Sequence, residues 1–142
     1  MSHKISFFSE GVSFTLKQKN DIRDWIKKTI LTEGKKPGYL SFIFCDDEYL
    51  LQINQQYLNH DTFTDIITFD NSEEEELIEG DIFISLDRIK ENAVNFDTSE
   101  KDELHRVIIH GVLHLLGYKD KTKAAKEQMS SKEDHYLNIR SF

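Results

Sequence analysis

The chain has 142 residues and a net charge of −8, from 18 basic and 26 acidic side chains, with six histidines and one cysteine. That length suits one hydrophobic core, so a single domain over residues 1–142 is expected, and one cysteine excludes an internal disulfide or a cysteine-built metal site. No stretch reaches the roughly 18 apolar residues of a membrane span, and Met1-Ser-His-Lys-Ile5 lacks a signal-peptide pattern, which points to the reducing cytoplasm.

The acidic balance runs against non-specific nucleic-acid binding, where neutralised phosphates dominate affinity. An RNA-binding chain of this charge needs a local basic patch, a metal or a partner protein.

In chain order, Ile5-Ser-Phe-Phe8 reads as a strand and Val12-Ser-Phe-Thr-Leu16 as a second, by its alternation. From about Lys17 to Glu33 the apolar positions Ile22, Trp25, Ile26 and Ile30 recur at helical spacing. Gly34-Lys-Lys-Pro37-Gly38 breaks that helix. Tyr39 to Cys45 follows as a buried strand, its cysteine a core residue rather than a reactive one. Asp46 or Asp47 then caps a helix carrying Leu50, Ile53, Asn54 and Tyr57. Asp65–Phe69 and Gly80–Ser85 form a strand pair around the acidic run Asn71–Glu76, a solvated hairpin loop. Three helices close the chain, from about Leu86 to Phe96, Ser99 to Leu116 and Thr122 to Ile139. This order predicts an α+β (α/β) domain, a small mixed four-stranded sheet with about five helices packed on it.

The Ser99 helix carries the chemistry. Ser99-Glu-Lys-Asp102 fits a capping box, and Gly117 is placed to end the helix. At about 100° per residue, with His110 at zero, His114 lies near +40°, Glu103 near +20° and Arg106 near −40°. These polar side chains form one stripe, while Leu104, Ile108, Val112 and Leu115 cover the opposite side. Histidines at i and i+4 bring two imidazoles side by side, and neutral imidazole suits zinc. After the turn at Gly117, Asp120 can swing back as a third ligand, leaving a position open for water. A zinc protease of the H-E-x-x-H type is excluded, because Gly111 stands where that motif needs its glutamate.

His110-Gly-Val-Leu-His114-Leu-Leu-Gly-Tyr118 resembles the signature of the YbeY family of ribosomal-RNA maturation endoribonucleases, H-G-x-L-H-L-x-G-Y-D-H. Asn54-Gln-Gln-Tyr57, Thr64-Asp65-Ile-Ile-Thr-Phe69 and Gly80-Asp81-Ile-Phe-Ile84 extend the resemblance upstream, and Glu127, Met129 and Glu133 suit its acidic last helix. The resemblance implies one zinc ion per chain, cleavage of single-stranded RNA, and a role in small-subunit ribosomal RNA maturation and ribosome quality control. It implies as partners ribosomal RNA and the small ribosomal subunit or its associated proteins, with no membrane and no DNA. The chain departs from the pattern at Asp120, where the family usually has His, at Leu58, where it often has Arg, and at Phe63, where Pro is usual. Two histidines with one carboxylate also suit iron or manganese.

Two further residues are candidates for the reaction. Arg106 would pair with a phosphate oxygen, or else form a salt bridge to Glu103 or Asp102. Asp81 would support a ligating histidine, or serve only as a strand-start acid. Asp65 reads as a turn or capping residue, Tyr118 as packing, and His105, opposite the stripe, as exposed or satisfied by backbone; His3, His60 and His135 carry no special signal. The competing function is a non-catalytic ribosome-assembly or RNA-binding factor with a structural zinc.

Overall fold

The computed structural model describes residues 4–58 and 64–142, so the readings of His3, His60 and Phe63 lie outside the described residues. Nine elements follow in order: β1 (Ile5–Ser9), α1 (Lys19–Thr32), β2 (Lys36–Cys45), α2 (Asp47–Leu58), β3 (Ile66–Asp70), β4 (Leu77–Ser85), α3 (Leu86–Asn95), α4 (Glu100–Leu115) and α5 (Lys123–Asn138). The four strands make one mixed sheet in the order β1-β2-β4-β3. β1 and β4 run parallel to β2, and β3 is antiparallel to β4. The expected four-stranded α/β architecture is the one observed.

Strand β2 is the centre of the core, with Leu40, Phe42 and Phe44 almost fully buried. Continuous apolar runs are what a strand flanked by parallel neighbours requires. β2 and β4 begin earlier than the sequence suggests, at Lys36 and Leu77, because Lys36 and Pro37 pair with Leu77 and Ile78 ahead of the expected runs. The acidic run is an exposed turn between β3 and β4, pinned by Asn71 N–H donating to the Glu79 carbonyl (3.0 Å).

One expected strand is absent. Val12–Leu16 pairs with no strand; it folds back over the sheet, with Leu16 in the core and the Phe14 ring edge-on to Phe44 at 5.1 Å. Its alternation records apolar side chains dipping into the core rather than a ladder.

Helix α4 lies across the sheet with Val107, Ile108, Ile109, Val112 and Leu113 buried. Ser99 Oγ accepts from Asp102 N–H (3.0 Å), which supplies half of the expected capping box. The other half is missing, because the Asp102 carboxylate is engaged by Arg140 (3.2 Å). A side chain at Gly111 would meet Ile66 Cδ1 at 2.9 Å and Ile82 Cγ2 at 3.0 Å. Glycine therefore lets the helix settle onto β3 and β4, and the position a metalloprotease would give its glutamate is filled by the sheet.

Candidate metal centre

The end of α4 determines where the third donor goes. Gly117 adopts φ +109°, donating its N–H to the His114 carbonyl, while Tyr118 N–H reaches the Leu113 carbonyl, both at 3.0 Å. These two bonds are a Schellman closure, which only a residue tolerant of left-handed φ completes cheaply. The chain reverses at once, and two residues beyond Tyr118 the Asp120 carboxylate returns to the helix it just left.

His110, His114 and Asp120 offer donor atoms that all lie within 4.8 Å of one another, each residue half-buried. Asp120 Oδ2 is 3.3 Å from His110 Nε2 and 3.2 Å from His114 Nε2. A tetrahedral zinc about 2.0–2.1 Å from each ligand holds neighbouring donors about 3.3 Å apart. The two carboxylate–imidazole separations thus match edges of a zinc tetrahedron, and the three residues could bind a metal ion. The imidazole rings stand nearly perpendicular, with centroids 4.6 Å apart.

Behind His110 stands Glu133 of α5, 8% exposed, with Oε2 only 2.6 Å from His110 Nδ1. A carboxylate there accepts the Nδ1 proton and leaves the Nε2 lone pair facing Asp120, the arrangement that orients a metal-binding histidine. Burial opposes charge on His110, but the bond to Glu133 and the negative charges of Glu133, Asp120 and Asp65 outweigh it and raise its pKa.

Arg106 is committed elsewhere than expected. Its guanidinium donates to Glu133 Oε1 (2.8 Å) and Asp134 Oδ1 (2.5 Å), both on α5, rather than to Glu103 or Asp102. Helix α5 runs along the same polar stripe and supplies nearer carboxylates than α4 itself. Asp81 accepts from Asn71 Nδ2 (3.2 Å) at the β3–β4 edge, so Glu133 and not Asp81 is the carboxylate bonded to His110.

Two acids show more than the sequence suggests. Asn92 Nδ2 lies 3.4 Å from both Asp65 Oδ2 and Glu103 Oε2, joining two sequestered carboxyls. Burial raises the pKa of each, only partly offset at Asp65 by the charge of His110 and at Glu103 by the Asn92 bond. His105 is neither exposed nor bound to backbone. It is 3% exposed, between Trp25 and Phe142, and its Nδ1 accepts from Arg140 (2.7 Å). The Cys45 thiol is fully buried, its pKa pushed up to about 12 by that burial and the nearby Asp46, Asp47 and Asp87. It is the core residue expected.

The Glu133–His110 contact is the part of the centre least visible in the sequence. A carboxylate 23 residues downstream gives no local signal of its partner; the only pointer is that Glu133 suits the acidic last helix of the family the sequence resembles.

Fold and centre together define a class: a mixed α/β sheet protein whose buried helix presents two imidazoles to a carboxylate from the following turn, a three-donor site for a cation. More particularly, the chain belongs to the Endoribonuclease YbeY family, whose model matches residues 5–140. A Cytophaga hutchinsonii protein named Endoribonuclease YbeY is 54% identical, over 97% of this chain and 96% of its own length. One of the same name from Christiangramia forsetii is 53% identical, over 96% of this chain and 94% of its own. The solution structure of a Thermotoga maritima protein is similar at a TM-score of 0.66 and 26% identity, covering 94% of this chain and 87% of that one. No helix among the described residues is long and apolar enough to cross a membrane.

Proposed function

We propose that this chain, as one domain spanning residues 1–142, is a zinc-dependent endoribonuclease that cuts single-stranded RNA in the cytoplasm. It would act in small-subunit ribosomal RNA maturation and ribosome quality control, with the small ribosomal subunit or its associated proteins as partners. The observation that carries this reading is the convergence of His110, His114 and Asp120 within 4.8 Å in a chain of that family.

One ion held by these three residues would supply Lewis-acid stabilisation of charge developing on the scissile phosphate and would lower the pKa of a water. Two imidazoles and a carboxylate favour zinc and leave iron and manganese as the alternatives. Glu133 holds the Nδ1 proton of His110 and so keeps Nε2 directed at the site. Arg106 contributes through Glu133, which it neutralises and steers, more than through a free phosphate contact. Asp65, whose pKa is raised by burial and held down in part by the charge of His110, faces the centre electrostatically, while Asp81 accepts from Asn71.

The acidic chain also has a local answer to its charge. Lys119, Lys121, Lys123 and Lys126 are exposed, flank or closely follow Asp120, and make no ion pair among the described residues. Four exposed cations within six residues of Asp120 in sequence would offer positive charge to an RNA backbone, in place of the arginine the family often has at position 58.

Elemental analysis of the purified protein beside His114→Ala, followed by cleavage of a single-stranded RNA, tests the reading. About one zinc per chain, lost in the variant along with cleavage, is expected. Zinc without turnover would favour the non-catalytic assembly factor, and no metal in either protein would overturn the site.

A further inference from the structure

Glu33 caps the C-terminus of α1, more than 75 residues from the metal centre in sequence. An acid is poorly suited there, since the helix dipole places partial negative charge at that end. It is nevertheless held by three donors at once. Tyr118 Oη donates to Oε1 (2.5 Å), Lys132 Nζ approaches Oε2 (3.3 Å), and the Tyr136 hydroxyl also donates to Oε2. The Lys132 ammonium additionally lies 5.5 Å from the centre of the Tyr118 ring.

The addresses of those donors matter. Tyr118 stands two residues before Asp120, in the loop that returns the third donor to α4. Lys132 directly precedes Glu133, and Tyr136 follows it by less than one turn. One carboxylate thus grips both the loop that carries Asp120 and the turn of α5 that carries the support of His110. Its side chain is only 13% exposed, so these bonds are poorly replaced by water.

We propose that Glu33 is a positioning residue of the metal centre, a clamp that fixes the α4–α5 loop against α5 so that Asp120 meets His110 and His114. This rests on the metal assignment above. Glu33 touches no substrate and no reacting atom; it acts through Tyr118 on Asp120, and through Lys132 and Tyr136 on Glu133.

Tyr118→Phe removes one hydroxyl and keeps the ring, so it tests the clamp without emptying the core; Glu33→Gln is the companion variant. Zinc affinity would be measured by competition with a chromophoric chelator, and the visible spectrum of the cobalt-loaded protein recorded for each. Supporting partners of metal ligands typically change affinity by 10–100-fold. A loss of roughly tenfold is expected for Tyr118→Phe, with an altered cobalt spectrum. In an Asp120→Ala background the same change should have almost no effect on affinity, because the group it positions is gone.

An equal loss in both backgrounds, or an unchanged affinity and spectrum alongside lowered thermal stability, would make Glu33 a structural tie only and overturn the proposal. Failure of the unmodified protein to bind zinc, cobalt or manganese would instead remove the metal assignment itself, and the proposal with it.

Discussion

Glu133→Gln poses a forced choice to the metal centre. The two Glu133 oxygens accept separately, Oε1 from Arg106 at 2.8 Å and Oε2 from His110 Nδ1 at 2.6 Å, in a site where the side chain is 8% exposed. A glutamine has one accepting oxygen. If it serves His110, the amide NH₂ faces a guanidinium that can only donate; if it serves Arg106, the NH₂ faces Nδ1 and drives the imidazole proton onto Nε2, against the cation. Either way one charge-assisted hydrogen bond, worth about 1.5–3 kcal/mol, is lost. If the loss falls on His110 it corresponds to roughly 10–100-fold in zinc affinity. Chelator competition on the folded protein would measure this, with urea denaturation of the zinc-free form as the companion. A zinc affinity unchanged within twofold in Glu133→Met, which accepts from neither partner, beside a clear loss of zinc-free stability, would refute the role of Glu133 in orienting His110.

Gly111→Ala should lower stability by up to about 2 kcal/mol, since methyls at 2.9 and 3.0 Å must retreat while alanine regains up to about 1 kcal/mol of helix propensity; Gly111→Glu, which recreates the protease motif in letters, should yield no folded protein by circular dichroism. His105 has its pKa lowered to about 4 by burial and by the charges of Arg140 and Lys101. Being depressed on folding, it contributes stability that is fully present above about pH 6.5 and falls away by about 3 kcal/mol towards pH 4, a slope that urea titrations should show reduced in His105→Gln. Replacing Lys119, Lys121, Lys123 and Lys126 together by alanine should leave zinc content unchanged and flatten the salt dependence of RNA binding by up to about 3, at about 0.7 per neutralised phosphate of a single strand; an unchanged slope would place the RNA elsewhere.

Much of the fold was legible because local rules and tertiary packing agree. Helix α4 has a serine cap, a glycine stop and an unbroken apolar side, so simple angular arithmetic put His110, His114 and Arg106 on one stripe, as they are. The glycine turn likewise told where Asp120 could go. What failed was inference about partners. Arg106 was matched to acids on its own helix, although a neighbouring helix offered Glu133 and Asp134 at shorter range. Tyr118 looked like packing because nothing near it in sequence accepts its hydroxyl; Glu33, 85 residues away, does. Val12–Leu16 alternates for burial and not for pairing, and period two alone does not distinguish them.

Helix α5 buries only Met129, Glu133 and Tyr136 of its 16 residues. It is moored instead by charge: Arg106 and His110 on Glu133, Glu33 on Lys132 and Tyr136, and the Trp25 indole donating to the Tyr136 carbonyl at 2.8 Å. These moorings weaken in acid and at high salt, which apolar contacts by themselves do not. The opening free energy of the last helix therefore depends on these bonds, and a cation bound at its root would raise it by mass action. Protease sensitivity of the C-terminal 20 or so residues thereby becomes a gauge of how fully the centre is loaded.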